Sequence, residues 1–164
     1  MSRLDSFIRR LEAQRACLGF AAEAIRALRG PVLELGLGNG RTYDHLREIL
    51  PGRPIFVFDR QVHAHPSCRP DPAHLFLGEV RDTLPAALER LPGRAALVHS
   101  DMGTGDAKAN AALAVWLAAA LPPLLVERAC VVSDQLMQNA TLVRLPLPPN
   151  VPAERYFIYC YRPR

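Results

Sequence analysis

Three glycines at every second position, Gly36, Gly38 and Gly40, stand in the segment Pro31-Val-Leu-Glu-Leu-Gly-Leu-Gly-Asn-Gly-Arg-Thr42. The segment reads as a strand, a loop and the start of a helix. In such a join Gly36 can make the turn, Gly38 lets a ligand approach the backbone with no Cβ in the way, and Gly40 opens the helix N-terminus with its free N–H groups. A nucleotide or a carboxylate suits that cradle. Nineteen residues after Gly40 the next apolar run ends in Asp59, where an acid would accept hydrogen bonds from ribose hydroxyls. A dinucleotide fingerprint, G-x-G-x-x-G/A, needs a small sixth residue, and counted from Gly36 that position is Arg41. Arg60 beside Asp59 still keeps an NAD(P)-dependent reductase open, because an arginine there can meet a 2′-phosphate. A P-loop is excluded: the one lysine, Lys108, lies in Asp106-Ala107-Lys108-Ala109.

These residues need a scaffold, and its pattern is legible. Leu4, Phe7, Ile8 and Leu11, then Leu18, Ala21, Ile25 and Leu28, follow helical spacing until Gly30-Pro31 stops it, as one long helix or two short ones over residues 1–30. Short runs that are apolar at consecutive positions follow at Val32 to Leu35, Ile55 to Phe58, Leu75 to Leu77, Ala95 to Val98 and Ala129 to Val132. Consecutive apolar residues suit parallel strands buried on both faces. Helical segments at Thr42 to Leu50, Leu84 to Leu91 and Ala107 to Leu121 alternate with them, which is an α/β doubly wound, Rossmann-like pattern. Thr141 to Leu145 and Tyr156 to Tyr161 are strand-like, and the proline-rich Pro146 to Pro152 between them is too short for a crossover helix. Those two strands therefore pair as a terminal antiparallel hairpin.

The chain has 164 residues, 49% apolar and 22% charged, the composition of one globular domain spanning 1–164. Ala111 to Val126, the longest apolar stretch, is broken by Pro122-Pro123, so no membrane span is expected. The opening residues lack the apolar core and cleavage site of a signal peptide. With Cys17, Cys68, Cys130 and Cys160 widely spaced, a cytoplasmic chain with reduced thiols is expected, Cys130 and Cys160 being buried. The net charge of +4 arises from arginines scattered along the chain. Nucleic-acid binding would call for a concentrated basic patch with aromatics interleaved, so no nucleic-acid partner is expected.

The segment E/D-x-G-x-G-x-G, present as Glu34, Gly36, Gly38 and Gly40, resembles the first motif of class I S-adenosylmethionine-dependent methyltransferases. The leading helices, the acid ending the second strand and the final hairpin extend the resemblance over most of the chain. With LELGLGNGRTYDHLRE and VFDR it is similar to small single-domain members of that group. The resemblance implies a seven-stranded, mostly parallel sheet and S-adenosyl-L-methionine as cofactor. Gly36, Leu37, Gly38, Asn39 and Gly40 would line the methionine moiety, with Glu34 and Thr42 in the same motif, and Asp59 with Arg60 would stand at the ribose. Gly78, Glu79 and Val80 would bracket the adenine, and Ser100, Asp101 and Met102 would form the loop beneath the sulfonium. Asp101 is the candidate catalytic residue, near enough to orient or deprotonate an acceptor.

Methyl transfer asks little of a protein beyond holding donor and acceptor in line. The sequence after the fourth strand, Asp101-Met102-Gly103-Thr104, lacks the Asn/Asp-Pro-Pro-Tyr run of nucleobase amino-methylating enzymes, and a small-molecule acceptor is expected. Without a cap domain, the acceptor pocket is completed by the N-terminal helices or by a second subunit of a homo-oligomer. A protein that binds the cofactor without catalysis is the remaining alternative. Asp134 and Gln135 follow the fifth strand as Asp101 follows the fourth, the positions of Mg²⁺ ligands in catechol-type enzymes. Those enzymes place Asn after the second acid, so no metal is expected, and Asp134 reads as a cap or turn residue. His63, His65, Cys68 and His74 match no zinc spacing and share their stretch with three prolines, as a solvated loop would. His99 reads as a hydrogen-bonded strand histidine.

Overall fold

The structure is a computed structural model and describes residues 2–164. A single helix α1 (Arg3–Ala24) leads, started by a capping box in which Ser2 Oγ accepts from the Asp5 N–H and Asp5 accepts from the Ser2 N–H. There follow β1 (Val32–Leu35), α2 (Arg41–Ile49), β2 (Ile55–Asp59), β3 (Leu75–Leu77), α3 (Val80–Ala86), β4 (Ala95–Ser100), α4 (Ala107–Ala120), β5 (Leu125–Ser133), β6 (Leu142–Leu145) and β7 (Phe157–Tyr161). They form one seven-stranded sheet in the order β3-β2-β1-β4-β5-β7-β6. Strands β1 to β5 are parallel; β7 runs antiparallel between β5 and β6. The order reverses between β1 and β4, so the loops after those strands splay apart at their carboxyl ends, where ligands of such sheets bind. No helix among the described residues is long and apolar enough to cross a membrane.

Alternate residues of the buried strands serve opposite faces. Val32, Val57, Leu97 and Cys130 pack under α1 and α2 with Leu18, Ile25 and Leu46. Leu33, Leu35, Phe58, Val98 and Val131 pack against Leu84, Leu117 and Leu121 on the other side. Three expectations need adjusting. The helix expected over Leu84 to Leu91 is α3, four residues earlier; Pro85 sits in its last turn, removes a ladder N–H, and a 3-10 turn over Ala87–Glu89 follows. Strand β5 begins at Leu125 rather than Ala129, because a bulge with Arg128 at φ 68° turns Glu127 and Arg128 outward and the apolar pairing continues on both sides of it. Cys130 is buried, its thiol pushed up to about 12 by desolvation, but Cys160, opposite it on β7, is half-buried.

The position of α1 depends on Arg53. Its guanidinium donates to the carbonyls of Gly30 (2.8 Å), Leu28 (2.9 Å) and Ile25 (3.3 Å) along the connection from α1 to β1, the Ile25 carbonyl also accepting from the Leu28 N–H. Hydrogen bonds from a charged donor contribute about 1.5–3 kcal/mol. Arg53→Ala is expected to lower stability by about 2 kcal/mol in denaturant titration, and Arg53→Lys to restore little of it, because a single ammonium cannot span three carbonyls.

Candidate functional site

Beneath the glycine loop lies Glu34, fully buried in the middle of β1. One of its oxygens accepts from Thr42 Oγ1 in the first turn of α2. The other is 2.7 Å from Nδ1 of His99 on β4, itself fully buried. Burial alone would push the His99 imidazole down, but the Glu34 charge and hydrogen bond outweigh it and hold His99 above its ordinary value. Glu34 and Thr42, expected among the ligand contacts, thus bond each other. Glu34 touches no cavity; it fixes the start of α2 and the end of β4 relative to β1. His99 is the bonded strand histidine expected.

Above this pair the loop is shaped from two sides. The Gly36 N–H donates to the Phe58 carbonyl at 2.8 Å. Asp59 Oδ2 accepts from the N–H groups of Leu37 (2.8 Å) and Gly38 (3.2 Å), and Oδ1 from that of Gln61 (3.1 Å). An ionised carboxylate has about four acceptor sites, so Asp59 retains capacity for one further donor while holding the loop. A Cβ on Gly38, at φ 52°, would project into open space. One on Gly40, at φ 84°, would lie 2.6 Å from the Cys68 Cβ and 2.9 Å from its carbonyl oxygen. The two glycines therefore serve different ends, Gly38 an approaching ligand and Gly40 the packing of α2 on the loop after β2.

Three cavities meet here. One of about 400 Å³ is bordered by Gly36, Gly38, Asp59, Arg60, the Gly78-Glu79-Val80 segment and Asp101 to Thr104. The second, of about 210 Å³, lies between the glycine loop with Asn39 and Thr42 and the α1 residues Phe7, Arg10, Leu11 and Gln14. The third, of about 450 Å³, has Arg10, Thr104, Asn110, Asp134, Gln135 and Tyr156 among its walls. Of the sequence candidates, Gly36, Gly38, Asp59, Arg60, Gly78, Glu79, Val80, Asp101 and Met102 all border the first cavity. Ser100 is buried behind them. The 3.7 Å Arg60–Glu79 ion pair at the rim is solvent-exposed and weak.

Asp101 borders both the first and the second cavity, and both its oxygens are taken: Arg10 Nη2 at 2.6 Å and Gln14 Nε2 at 2.8 Å. This pair from α1, about ninety positions away, carries no signal in its own segment and is not among the sequence candidates. Asp134 lies near Asp101; its Oδ2 accepts from the Gly103 N–H (2.9 Å) and Gln135 Nε2 (3.2 Å). This is the turn role expected. Burial first and the Asp101 charge second push its carboxyl above the usual range. No group of three His, Cys, Asp or Glu able to hold a metal occurs among the described residues. His63 and His65 instead bond Gln61 and Ser67, and His74 packs on Phe56.

Two outcomes are expected. Gly40→Ala should destabilise the fold by about 3 kcal/mol through strain and overlap, whereas Gly38→Ala should cost about 1 kcal/mol, both read by chemical denaturation. A folded-state value raised above the unfolded one means that His99 contributes stability in full below about pH 6.5 and loses the contribution as pH rises through the folded value. The Tm gap between the native chain and His99→Gln should therefore be widest in acid and narrow in alkali, and a gap constant across that range contradicts the ion pair.

The family model for S-adenosyl-L-methionine methyltransferases matches residues 1–161. The crystal structure of an S-adenosyl-L-methionine methyl transferase from Silicibacter pomeroyi DSS-3 superposes with a TM-score of 0.92 at 46% identity, covering 98% of this chain and 99% of that one. The antibiotic-resistance methyltransferase Kmr has the same fold at 15% identity, with a TM-score of 0.52 and coverage of 94% and 92%. So does MycE, a methyltransferase of the mycinamycin biosynthetic pathway crystallised with Mg and S-adenosylhomocysteine, at 16% identity and a TM-score of 0.53, covering 93% of this chain and 48% of that one. No curated protein matches. With the matching family model spanning nearly the whole chain, the glycine loop, Asp59 and the cavity they border belong to an S-adenosyl-L-methionine-dependent methyltransferase, and the chain belongs to that family.

Proposed function

We propose that the enzyme methylates a small-molecule acceptor. The single observation that carries this reading is the closure of the site by the chain's own first helix: through Arg10 and Gln14, α1 is tied to Asp101 across the 210 Å³ cavity, and the space left beyond is about 450 Å³. That volume suits a ligand of metabolite size. Of the two expected ways to complete the pocket, the intramolecular one is supported by Arg10 of α1, which lines the 450 Å³ cavity as well as the 210 Å³ one.

The open cradle at Gly38 and the acids Asp59 and Glu79 beside one cavity fit the cofactor. On this reading the glycine loop holds the amino-acid part of S-adenosyl-L-methionine, Asp59 a ribose hydroxyl, and Glu79 and Val80 the far end. When bound, the cofactor supplies an electrophilic methyl group on a sulfonium, so the protein has to position the acceptor and exclude water. The charge of Asp101 would favour a cation at the cavity junction. Arg10 and Gln14 occupy its oxygens, and its proposed role is to place α1 and the transfer point. A cytoplasmic setting is supported by four free cysteines.

Calorimetry with S-adenosylhomocysteine and with NADPH, followed by turnover against small acceptors, tests the reading. S-adenosylhomocysteine should bind and NADPH should not; the reverse would revive the reductase. Binding without turnover over a broad panel would favour the non-catalytic alternative. Asp59→Ala is expected to weaken S-adenosylhomocysteine binding by about 2 kcal/mol, through a lost charge-assisted hydrogen bond and a loosened loop. An unchanged Kd would place the ribose elsewhere.

A further inference from the structure

Three buried polar atoms make no well-formed hydrogen bond among the described residues: His99 Nε2, Asp134 Oδ1 and Tyr156 Oη, the last with the Arg10 guanidinium near it but poorly aligned. They come from the end of β4, the residue after β5 and the residue before β7. They nevertheless stand together. The rings of His99 and Tyr156 lie 12° from parallel with centroids 6.4 Å apart, and the charge of Asp134 acts on both. Asp134 and Tyr156 both line the 450 Å³ cavity, and Tyr156 is fully buried. Leaving a buried polar group unpaired costs about 1–3 kcal/mol, so a cluster of them on a cavity wall marks where a ligand completes the bonds.

The atom types narrow the ligand. Burial, reinforced by Asp101 and Asp134 and only partly opposed by the charge and hydrogen bond of Arg10, pushes the Tyr156 phenol far up and keeps it a neutral O–H; it has a proton to donate. Asp134 Oδ1 is suited to accept one. A group that serves both must give a hydrogen and offer a lone pair, which a hydroxyl does. A carboxylate lacks the hydrogen, and an ammonium lacks the lone pair.

The cavity also has a charge preference. Arg155, half-buried beside Tyr156, lines it and makes no ion pair or side-chain hydrogen bond among the described residues. Arg10 is already neutralised by Asp101, and Glu154 lies exposed at the rim. One guanidinium is left uncompensated, and it suits an anion.

We propose that this cavity is the acceptor subsite and takes a small hydroxy acid, its hydroxyl between Asp134 Oδ1 and Tyr156 Oη and its anionic group on Arg155. The inference rests on the methyl-transfer reading and adds the chemical class of the acceptor to it.

The test starts with the protein loaded with S-adenosylhomocysteine, whose binding is established first by calorimetry. Matched probes are then compared by ligand-observed NMR: 3-hydroxybenzoate against benzoate and methyl 3-hydroxybenzoate, 3-hydroxybutyrate against butyrate and its hydroxy ethyl ester, and glycerol 3-phosphate against glycerol. At least one hydroxylated anion should bind about tenfold or more tighter than both partners lacking one of its groups, since each lost partner strands a buried polar group or a charge. Tyr156→Phe and Arg155→Ala should each weaken that probe about tenfold while S-adenosylhomocysteine affinity stays at the native level. Equal binding of uncharged alcohols, absence of any bound probe on the loaded protein, or full probe affinity in both variants would overturn the subsite. Failure of S-adenosylhomocysteine itself to bind would instead remove the methyl-transfer reading.

Discussion

A carboxylate with no access to water has to be bonded on both oxygens or it destabilises the fold, and Glu34 meets that constraint in the middle of the sheet. Its partners are a hydroxyl from α2 and an imidazole from β4. Satisfying this one side chain therefore sets three elements at once, and they are the three that surround the point where strand order reverses. The glycine loop runs directly over Glu34, so its shape follows from a bond made beneath it. Replacing either partner would leave a buried acid uncompensated, whereas the loop's own hydrogen bonds, from Gly36 to Phe58 and from Asp59 to Leu37 and Gly38, would remain.

The second constraint is the enclosure of the site in a chain this short. Here α1 covers the site, fastened at two points: Arg53 holds the connection that follows it to the entrance of β1, and Asp101 holds its middle through Arg10 and Gln14. Between the fastenings, Cys17, Leu18 and Ala21 are buried on the sheet. The first two turns are different: Leu4, Phe7 and Ile8 are largely exposed, with Arg41 stacked on Phe7 at 5.8 Å. Stability along the helix is thus uneven, and the part nearest the glycine loop is the part with least apolar burial, the arrangement that lets a ligand enter without unfolding the core.

The fold was legible because its signals are local. Consecutive apolar residues betray strands buried on both faces, and the proline-rich connection before β7 leaves no room for a crossover, so parallel order and terminal hairpin both follow from short segments. The ends of α3 and β5 were not, since a proline in a final turn and a bulge at Arg128 are settled by what the neighbouring strand allows. For the site, the glycines and Asp59 sit in one strand–loop–helix unit and its successor, and their spacing carries the meaning. Glu34 is legible as part of its motif, but its bond is not: nothing local points to His99, sixty-five positions on. Arg10, Gln14, Arg155 and Tyr156 escaped for the same reason. Each is an ordinary residue in its own segment and becomes part of the site only when the two ends of the chain meet over the sheet.

That meeting has a consequence for how the proposed cofactor and acceptor spaces communicate. Arg10 lines both the cavity under α1 and the larger one beyond it, and its charge is committed to Asp101, which borders the cofactor side. Asp134 in turn holds the Gly103 N–H and lies within the field of Asp101. A cation arriving beside Asp101 would compete with Arg10 for the same carboxylate. The two spaces therefore share one ion pair, Arg10 with Asp101, which ties the middle of α1 to the end of β4.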